Sequence, residues 1–203
     1  MMRTMAIGMA ALLAACADGD QRMASEAEPH MSHVHMAHVL TGWQETPEQM
    51  GLLPTAQAEA EVAAQHAGFA ASRPIDRSVE PEGPGLGYGV QRAAQGAAQH
   101  VRFAADSEDA SDNVKLHATH VETSAGNMVA WSQRIVELGQ QVQTASSPAE
   151  AAPPVVEIET LTQAILAGTD ANGDGTVSWE EREGGLAQAA QHMQFMQGGE
   201  GMA

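Results

Sequence analysis

Oxygen-bearing side chains recur at alternate positions in a short stretch near the C-terminal end of the sequence, residues 170–181. Asp170, Asn172 and Asp174 alternate along the chain, and Gly175 follows them. Calcium is a hard cation that takes six to eight oxygen ligands, and side chains at this spacing can direct their oxygens to one point. Gly175 permits a sharp bend there, because glycine adopts a positive φ at little cost. The stretch therefore predicts a calcium site.

The same stretch matches the pattern D-x-[DN]-x-[DN]-G-x5-E at every constrained position, and it resembles the calcium loop of the EF-hand family. The resemblance implies six ligands: the side chains of Asp170, Asn172 and Asp174, the backbone carbonyl of Thr176, Ser178 directly or through a water, and both carboxylate oxygens of Glu181. The alternative is an acidic loop of Asx-turns that has lost its ion.

The residues on either side of this loop partly fit the helices of an EF-hand. Leu161 and Ile165 precede it at helical spacing, and Leu186 and Ala189 suit the helix that follows. Two consecutive glycines at positions 184 and 185 weaken that second helix by about 1 kcal/mol each. The resemblance covers roughly residues 155 to 197. Because EF-hands usually occur in pairs and no second good loop is found, dimerisation through the lone loop is a hypothesis to test.

The N-terminal end of the chain has the pattern of a targeting segment. Arg3 supplies a positive charge, and an apolar run that is too short to span a bilayer follows it. The run ends at Leu13-Ala14-Ala15-Cys16, which resembles a bacterial lipobox, and Cys16 is the only cysteine. The resemblance implies that residues 1–15 are removed, that Cys16 is lipidated, and that the protein is anchored at the periplasmic face of the outer membrane. The alternative is an ordinary secretory signal with an incidental cysteine.

The composition limits the classes of partner. The formal net charge is −17, which disfavours nucleic acid and anionic lipid head groups and suits cations. Aromatic residues make up only 3 % of the chain while alanine is abundant, so a core would consist of small side chains on closely approaching helices. No serine or cysteine lies in a recognisable catalytic motif, so we predict that the protein is not an enzyme.

The periodicity of apolar residues predicts an all-α protein, an alanine-rich helical bundle that ends in the helix-loop-helix. We predict a tether over 16–29, a bundle over 30–145 and the helix-loop-helix over 146–203. Helices are expected from Pro54 to Ser72, with Thr55 as N-cap, and over 90–105. The longest helix follows, and its predicted buried stripe contains Val114, His117, Val121, Ser124, Met128, Trp131, Ile135, Leu138 and Val142. Ser147 and Glu150 form a predicted capping box, and Pro153 and Pro154 are expected to disturb the helix after it.

A seven-residue string, Ala-Ala-Gln-His-x-x-Phe, occurs three times. Its histidines are His66, His100 and His192, and on a helix each lies on one face with the phenylalanine three residues later. With His117, up to four histidines are predicted to point inward. The favoured interpretation is packing as neutral rings bonded to glutamine or backbone carbonyls. The alternative is a transition-metal or haem site between helices, in which His117 and His120, three residues apart, chelate together.

A second group of histidines comes directly after the tether: His30, His33, His35 and His38. On a helix these four would spread over about 200°, so one rigid helical site would not use all of them. A flexible loop could use all four for copper, zinc or nickel. The alternative is a solvated tract that binds metal weakly.

Two hypotheses of different classes follow. In the first, the protein is a lipid-anchored periplasmic calcium-binding protein with a structural or interaction role. In the second, it is a carrier or redox protein of the envelope that binds copper, nickel or haem through histidine, and calcium stabilises its fold.

Overall fold

Six α-helices run through the residues that the computed structural model describes, 30–72 and 85–202. They are α1 (Met31–Leu40), α2 (Leu52–Ser72), α3 (Val90–Asp106), α4 (Asp112–Thr144), α5 (Pro148–Ala167) and α6 (Leu186–Glu200). A 3-10 turn at Pro47–Gln49 separates α1 from α2, and these two ranges contain no strand. The predicted all-α bundle is therefore confirmed. The predicted signal peptide 1–15, Cys16 and the tether 16–29 lie outside the described residues.

The long helix α4 is the centre of the bundle, where it packs against α3, α5 and α6. On the other side, α1 lies on α3, and α2 lies on α5 and α3. The predicted stripe along α4 is confirmed, since Val114, Val121, Ser124, Met128 and Leu138 are buried and none of its other members is exposed. Its spacing of three and four residues keeps one face of the helix toward its neighbours.

Small side chains bring the helices close together. On α3, Ala93, Ala94 and Ala97 are fully buried. A Cβ atom at Gly96 would lie 2.7 Å from a methyl carbon of Leu52, which is tighter than van der Waals contact allows. Buried methionines fill the irregular gaps that such packing leaves, and they include Met36, Met128, Met193 and Met196.

One helix start differs from the sequence prediction, and another agrees with it. Helix α2 begins at Leu52, before Pro54, because a proline in the first turn has no intrahelical hydrogen bond to lose. Thr55 is therefore not the N-cap; its hydroxyl donates to the carbonyl oxygen of Gly51 at 2.8 Å. Helix α5 begins at Pro148, as the capping box predicts, and the Ser147 hydroxyl accepts from the Glu150 amide at 3.3 Å.

Helix α5 continues through Pro153 and Pro154 without a break, so the expected disturbance there is wrong. Each proline removes one backbone hydrogen bond. Packing against α2 and α4 compensates for that loss, because Pro154 and Val155 are buried in the contact. Tertiary packing, rather than local propensity, therefore holds this part of the helix.

A membrane-crossing helix would need a long and strongly apolar stretch. Within 30–72 and 85–202, no helix has both of those properties.

Candidate metal centres

Three histidines from two helices meet between α1 and α3, and we call them the first triad: His35, His38 and His100. His35 and His38 lie one turn apart on α1, and His100 lies on α3. The Nδ1 atom of His100 is 3.2 Å from Nδ1 of His35 and 3.3 Å from Nδ1 of His38. His100 is buried, and the other two rings are half-buried at the edge of the site.

A second set of three histidines, the second triad, repeats this arrangement elsewhere in the bundle. His117 and His120 lie one turn apart on α4, and His192 lies on α6. The Nδ1 atom of His192 is 3.0 Å from Nδ1 of His117 and 3.3 Å from Nδ1 of His120. His192 is buried and its two partners are half-buried, as in the first triad.

Hydrogen bonds between the rings do not account for either triad. A neutral imidazole carries one hydrogen, and its other nitrogen offers a single in-plane lone pair. The Nδ1 atom of the buried histidine faces two other Nδ1 atoms at once, so only one of its two contacts can be a well-directed N–H···N bond. A cation between the three nitrogens satisfies all of them together. Nitrogens bound tetrahedrally at about 2.0–2.1 Å from an ion lie about 3.3–3.4 Å apart, close to the separations here.

A tryptophan ring packs against the histidines of each triad. The ring centroid of Trp43 is 4.4 Å from that of His38 and 4.6 Å from that of His100. The ring centroid of Trp179 is 3.9 Å from that of His120, and the two rings are stacked at an interplanar angle of 18°. Each indole therefore packs directly against imidazole rings of its triad.

A phenylalanine edges each triad on another side. The Phe103 ring is 5.3 Å from that of His35, and the Phe195 ring is 5.2 Å from that of His117. Both belong to copies of the repeated string, three residues after the buried histidine. They are 41 % and 46 % exposed, although the histidine three residues earlier in each copy is buried. These rings form the rims of the triads rather than part of the core.

The two triads occur in corresponding halves of the chain. In each half a helix with His-x-x-His comes first, and a helix with Ala-Ala-Gln-His-x-x-Phe comes last, so α1 and α3 correspond to α4 and α6. The third copy of the string, on α2, has no such partner helix. Its histidine, His66, keeps a buried Nε2 atom that has no hydrogen-bond partner among residues 30–72 and 85–202.

Burial keeps the triad histidines neutral. Desolvation, followed by repulsion from the neighbouring imidazoles, lowers the pKa of His100 to about 4, and the same causes lower the pKa of His192 to about 4. Burial also lowers the pKa of the remaining members, His35, His38, His117 and His120. Neutral imidazole is the form that binds metal ions, so both triads are ready to bind at neutral pH.

Two carboxylates fix helix α1, which supplies the first pair of histidines. Asp109 accepts from the amide and hydroxyl of Ser32, at 3.2 and 3.1 Å, and contacts Nδ1 of His30 at 3.1 Å. Glu200, at the end of α6, lies 3.4 Å from Nε2 of His33. The predicted histidine tract is therefore helical, and only His35 and His38 turn toward a shared site.

The favoured sequence interpretation of the inward histidines differs from the structure. His100 and His192 contact other histidines, rather than the predicted glutamine or backbone carbonyl groups. The glutamines that precede the repeat histidines, Gln65, Gln99 and Gln191, are exposed. The sequence contained a stronger signal that the interpretation did not use, because His35 and His38 have the same spacing as His117 and His120.

The predicted calcium loop is folded around the carboxylate of Asp170. This carboxylate accepts from the amides of Gly173, Asp174 and Gly175 at 2.7, 3.1 and 2.9 Å. The side-chain oxygen of Asn172 accepts from the Asp174 amide at 2.9 Å. Gly173 and Gly175 both have positive φ, as the tight turn requires. The structure therefore brings the first three predicted ligand side chains close together.

The later ligands are only partly arranged as predicted. The Asp174 carboxylate accepts from the amide and hydroxyl of Thr176, and these bonds lower the pKa of Asp174. Ser178 turns its hydroxyl to Glu183 at 2.7 Å. Glu181, the predicted last ligand, is exposed and precedes the helix, because α6 begins only at Leu186. The glycines before Leu186 account for that late start.

Glu183 closes the loop instead. It is only 2 % exposed, and its carboxylate accepts from the amides of Asn172 and Ser178 at 3.3 and 3.1 Å. Thr169 donates its amide to the Glu183 carbonyl at 2.9 Å, which joins the two ends of the loop. The EF-hand pattern places its last ligand at Glu181, so the pattern does not identify the carboxylate of Glu183.

The predicted calcium loop is attached to α4, the helix that carries two of the three histidines of the second triad. The Asn127 side chain on α4 donates to the carbonyls of Glu180 and Gly184 at 2.9 and 3.0 Å, and it accepts from the Arg182 amide at 2.7 Å. Arg182 has a φ of 69°, a left-handed conformation that these bonds hold. The same segment contains Trp179, so the loop and the second triad form one connected unit.

Comparison of the chain with protein-family models, with curated proteins and with solved structures gives no match.

Proposed function

We propose that this protein binds transition-metal ions at two three-histidine sites, the first and second triads. One observation carries the proposal: the same constellation of three converging Nδ1 atoms, with a tryptophan and a phenylalanine beside them, occurs twice in one chain. A chance cluster of surface histidines would not recur with the same spacing and the same neighbours.

The chemistry of the donors defines the class of ion. Imidazole nitrogen suits zinc, copper, nickel and iron, whereas calcium and magnesium prefer oxygen. Three protein ligands are enough to bind such an ion, because a water or a substrate can take the fourth position. Each ion would also link two helices that are distant in sequence, α1 with α3 and α4 with α6. Binding therefore stabilises the fold by an amount that depends on ion concentration.

We propose a binding or carrier role rather than catalysis. In this role the histidines hold the ion, and the surrounding rings limit its exchange with water. The predicted lipidation of Cys16 would place both triads in the periplasm, where a metal carrier meets ions that enter the envelope. Mass spectrometry of the membrane fraction, with Cys16→Ser as the control, would test that anchor.

Metal analysis of protein purified without a histidine tag tests the proposal. We expect two ions per chain in the unchanged protein, one in His100→Ala and one in His192→Ala, and none in the double variant. His66→Ala is the matched control, since His66 occupies the same position of the third repeat but belongs to neither triad. It should keep both ions. Unchanged stoichiometry in the His100 and His192 variants would contradict the proposal.

Calcium binding at residues 170–183 is the second proposed function. It is supported by the match to the EF-hand pattern and by the gathering of Asp170, Asn172 and Asp174 around one turn. Outside the cytosol such loops have dissociation constants on the order of 10⁻⁴ to 10⁻³ M, so the ion would have a structural role. Calorimetric titration with millimolar calcium should give one site, which Asp170→Ala removes. A lone loop also leaves dimerisation through it as a proposal, which sedimentation with and without calcium would test.

A further inference from the structure

The two indoles come from different places in the chain. Trp43 follows α1, in the connection to α2, whereas Trp179 precedes α6, in the connection from α5. The histidines and phenylalanines occupy corresponding helices in the two halves, but the tryptophans do not. Each half therefore places its indole against the second histidine of the His-x-x-His pair by a different route. A ring that reaches the same place in two ways indicates a requirement of the site itself.

Each triad consists of three histidines, and within residues 30–72 and 85–202 no carboxylate or thiolate belongs to either group. The charge of the bound site is therefore the charge of the ion. The cost of desolvating an ion rises with the square of its charge, so a divalent ion in this half-buried, ring-lined environment costs about four times as much as a monovalent one.

The rings also bear on the coordination number. Zinc is almost always four-coordinate, and in a site with three histidines its fourth ligand is a water or a substrate. Here aromatic rings flank the nitrogens: an indole lies over one histidine of each triad and a phenyl ring lies beside another. A monovalent ion that is stable with three ligands fits such surroundings. The face of an indole also attracts a cation within about 6 Å.

We propose that both triads hold monovalent copper, bound by three imidazole nitrogens, with Trp43 and Trp179 covering its open side. This inference rests on the proposed metal-binding function and specifies the ion. No change in oxidation state is part of it, because the protein takes up the ion already reduced. The role of each tryptophan is to shield the ion and stabilise its charge, while the histidines bind it.

Anaerobic titration with Cu(I) against a cuprous chelator, and with Zn²⁺ against a zinc indicator, tests this inference. We expect two Cu(I) per chain, quenching of tryptophan fluorescence, and weaker binding of Zn²⁺. Trp43→Leu and Trp179→Leu should each weaken Cu(I) at one site by about tenfold, a loss in the range of a desolvated cation–π contact. Their effect on Zn²⁺ should be less than about threefold, because zinc takes a fourth ligand such as a water, which would separate that ion from the indole.

Trp43→Phe and Trp179→Phe keep an aromatic ring, so they control for misfolding of the leucine variants. Their affinity for Cu(I) should lie between that of the leucine variants and that of the unchanged protein. Trp131→Phe is the matched control, because Trp131 packs against the core away from the triads' ring contacts. Two Zn²⁺ bound more tightly than Cu(I), or equal losses for both ions in the leucine variants, would overturn the inference and leave the metal-binding function intact. Failure of both ions to bind would contradict the function itself.

Discussion

The indole of Trp179 lies stacked on the imidazole of His120, with 3.9 Å between the ring centroids. Trp179 belongs to the predicted calcium loop, and His120 belongs to the second triad. The indole beside the first triad, that of Trp43, comes instead from the connection between α1 and α2. The two otherwise equivalent sites therefore differ in their attachment to the loop.

Calcium should affect the second triad and leave the first unchanged. In His100→Ala only the second triad remains, and calcium that orders the loop should change its affinity for metal by about fivefold or more, the lower range of coupling between sites. In His192→Ala only the first triad remains, and calcium should have no effect there. Competition titrations with a chelator that does not bind calcium, with and without millimolar calcium, would measure both. Equal responses in the two variants would contradict this coupling.

Glu183 should matter more than Glu181 for the loop. Glu183→Gln replaces a buried carboxylate that accepts from two backbone amides and a hydroxyl, and we expect it to lower the free energy of unfolding by about 2–3 kcal/mol. Glu181→Gln alters an exposed side chain, so its effect should stay within about 0.5 kcal/mol. Urea unfolding measures both values.

Repeating the urea unfolding in calcium separates the structural role of each glutamate from a role as calcium ligand. If Glu183 is a calcium ligand, Glu183→Gln should also lose most of the stabilisation that calcium gives, while Glu181→Gln keeps it. If Glu181→Gln loses the stabilisation by calcium and Glu183→Gln keeps it, Glu181 is the ligand, as the sequence pattern indicates.

Asn127 should hold the loop against α4. Asn127→Ala removes three hydrogen bonds and leaves two carbonyls and one amide to find other partners, which should cost about 2–4 kcal/mol. Asn113→Ala is the comparison, because the Asn113 amide donates to two carbonyls near the end of α6 from a more exposed position, at 3.2 Å each. Its cost should be about 1 kcal/mol or less. Thermal unfolding of the metal-free proteins would compare the two, and similar losses would argue against a special role for Asn127.

Acid should destabilise the metal-free protein through the triads. The pKa of His100 and of His192 is about 4 in the folded protein, whereas an unfolded histidine titrates near about 6.5. Between these values the unfolded chain binds more protons, so the free energy of unfolding falls as the pH drops from about 6.5 to about 4. Bound metal, which needs neutral imidazoles, should be released only as the pH approaches about 4, where these rings gain a proton in the folded protein.

The double variant His100→Gln, His192→Gln isolates this effect from the titration of carboxylates. Its unfolding free energy, measured by urea at a series of pH values, should depend less on pH above about 4 than that of the unchanged protein. An identical pH profile for the two proteins would show that the triads do not contribute.

Helix positions followed from the sequence because they depend on local periodicity. The stripe along α4 and the start of α5 at Ser147–Pro148 are examples. The triads did not follow, because the sequence does not state that α1 lies on α3 or that α6 lies on α4. His117 and His120 were recognisable as a pair, but His192 joins them only through tertiary packing. Glu183 was missed for a related reason. The backbone around it is held by hydrogen bonds from Asn127 on α4, which the local sequence does not reveal.

Anomalous X-ray diffraction from crystals grown with copper, collected on both sides of the copper edge, tests the central claim most directly. We expect two anomalous peaks per chain, one about 2 Å from the Nδ1 atoms of His35, His38 and His100 and one at the same distance from those of His117, His120 and His192. Peaks at His30 and His33, in the predicted calcium loop, or at one triad alone would contradict the account of two equivalent metal sites.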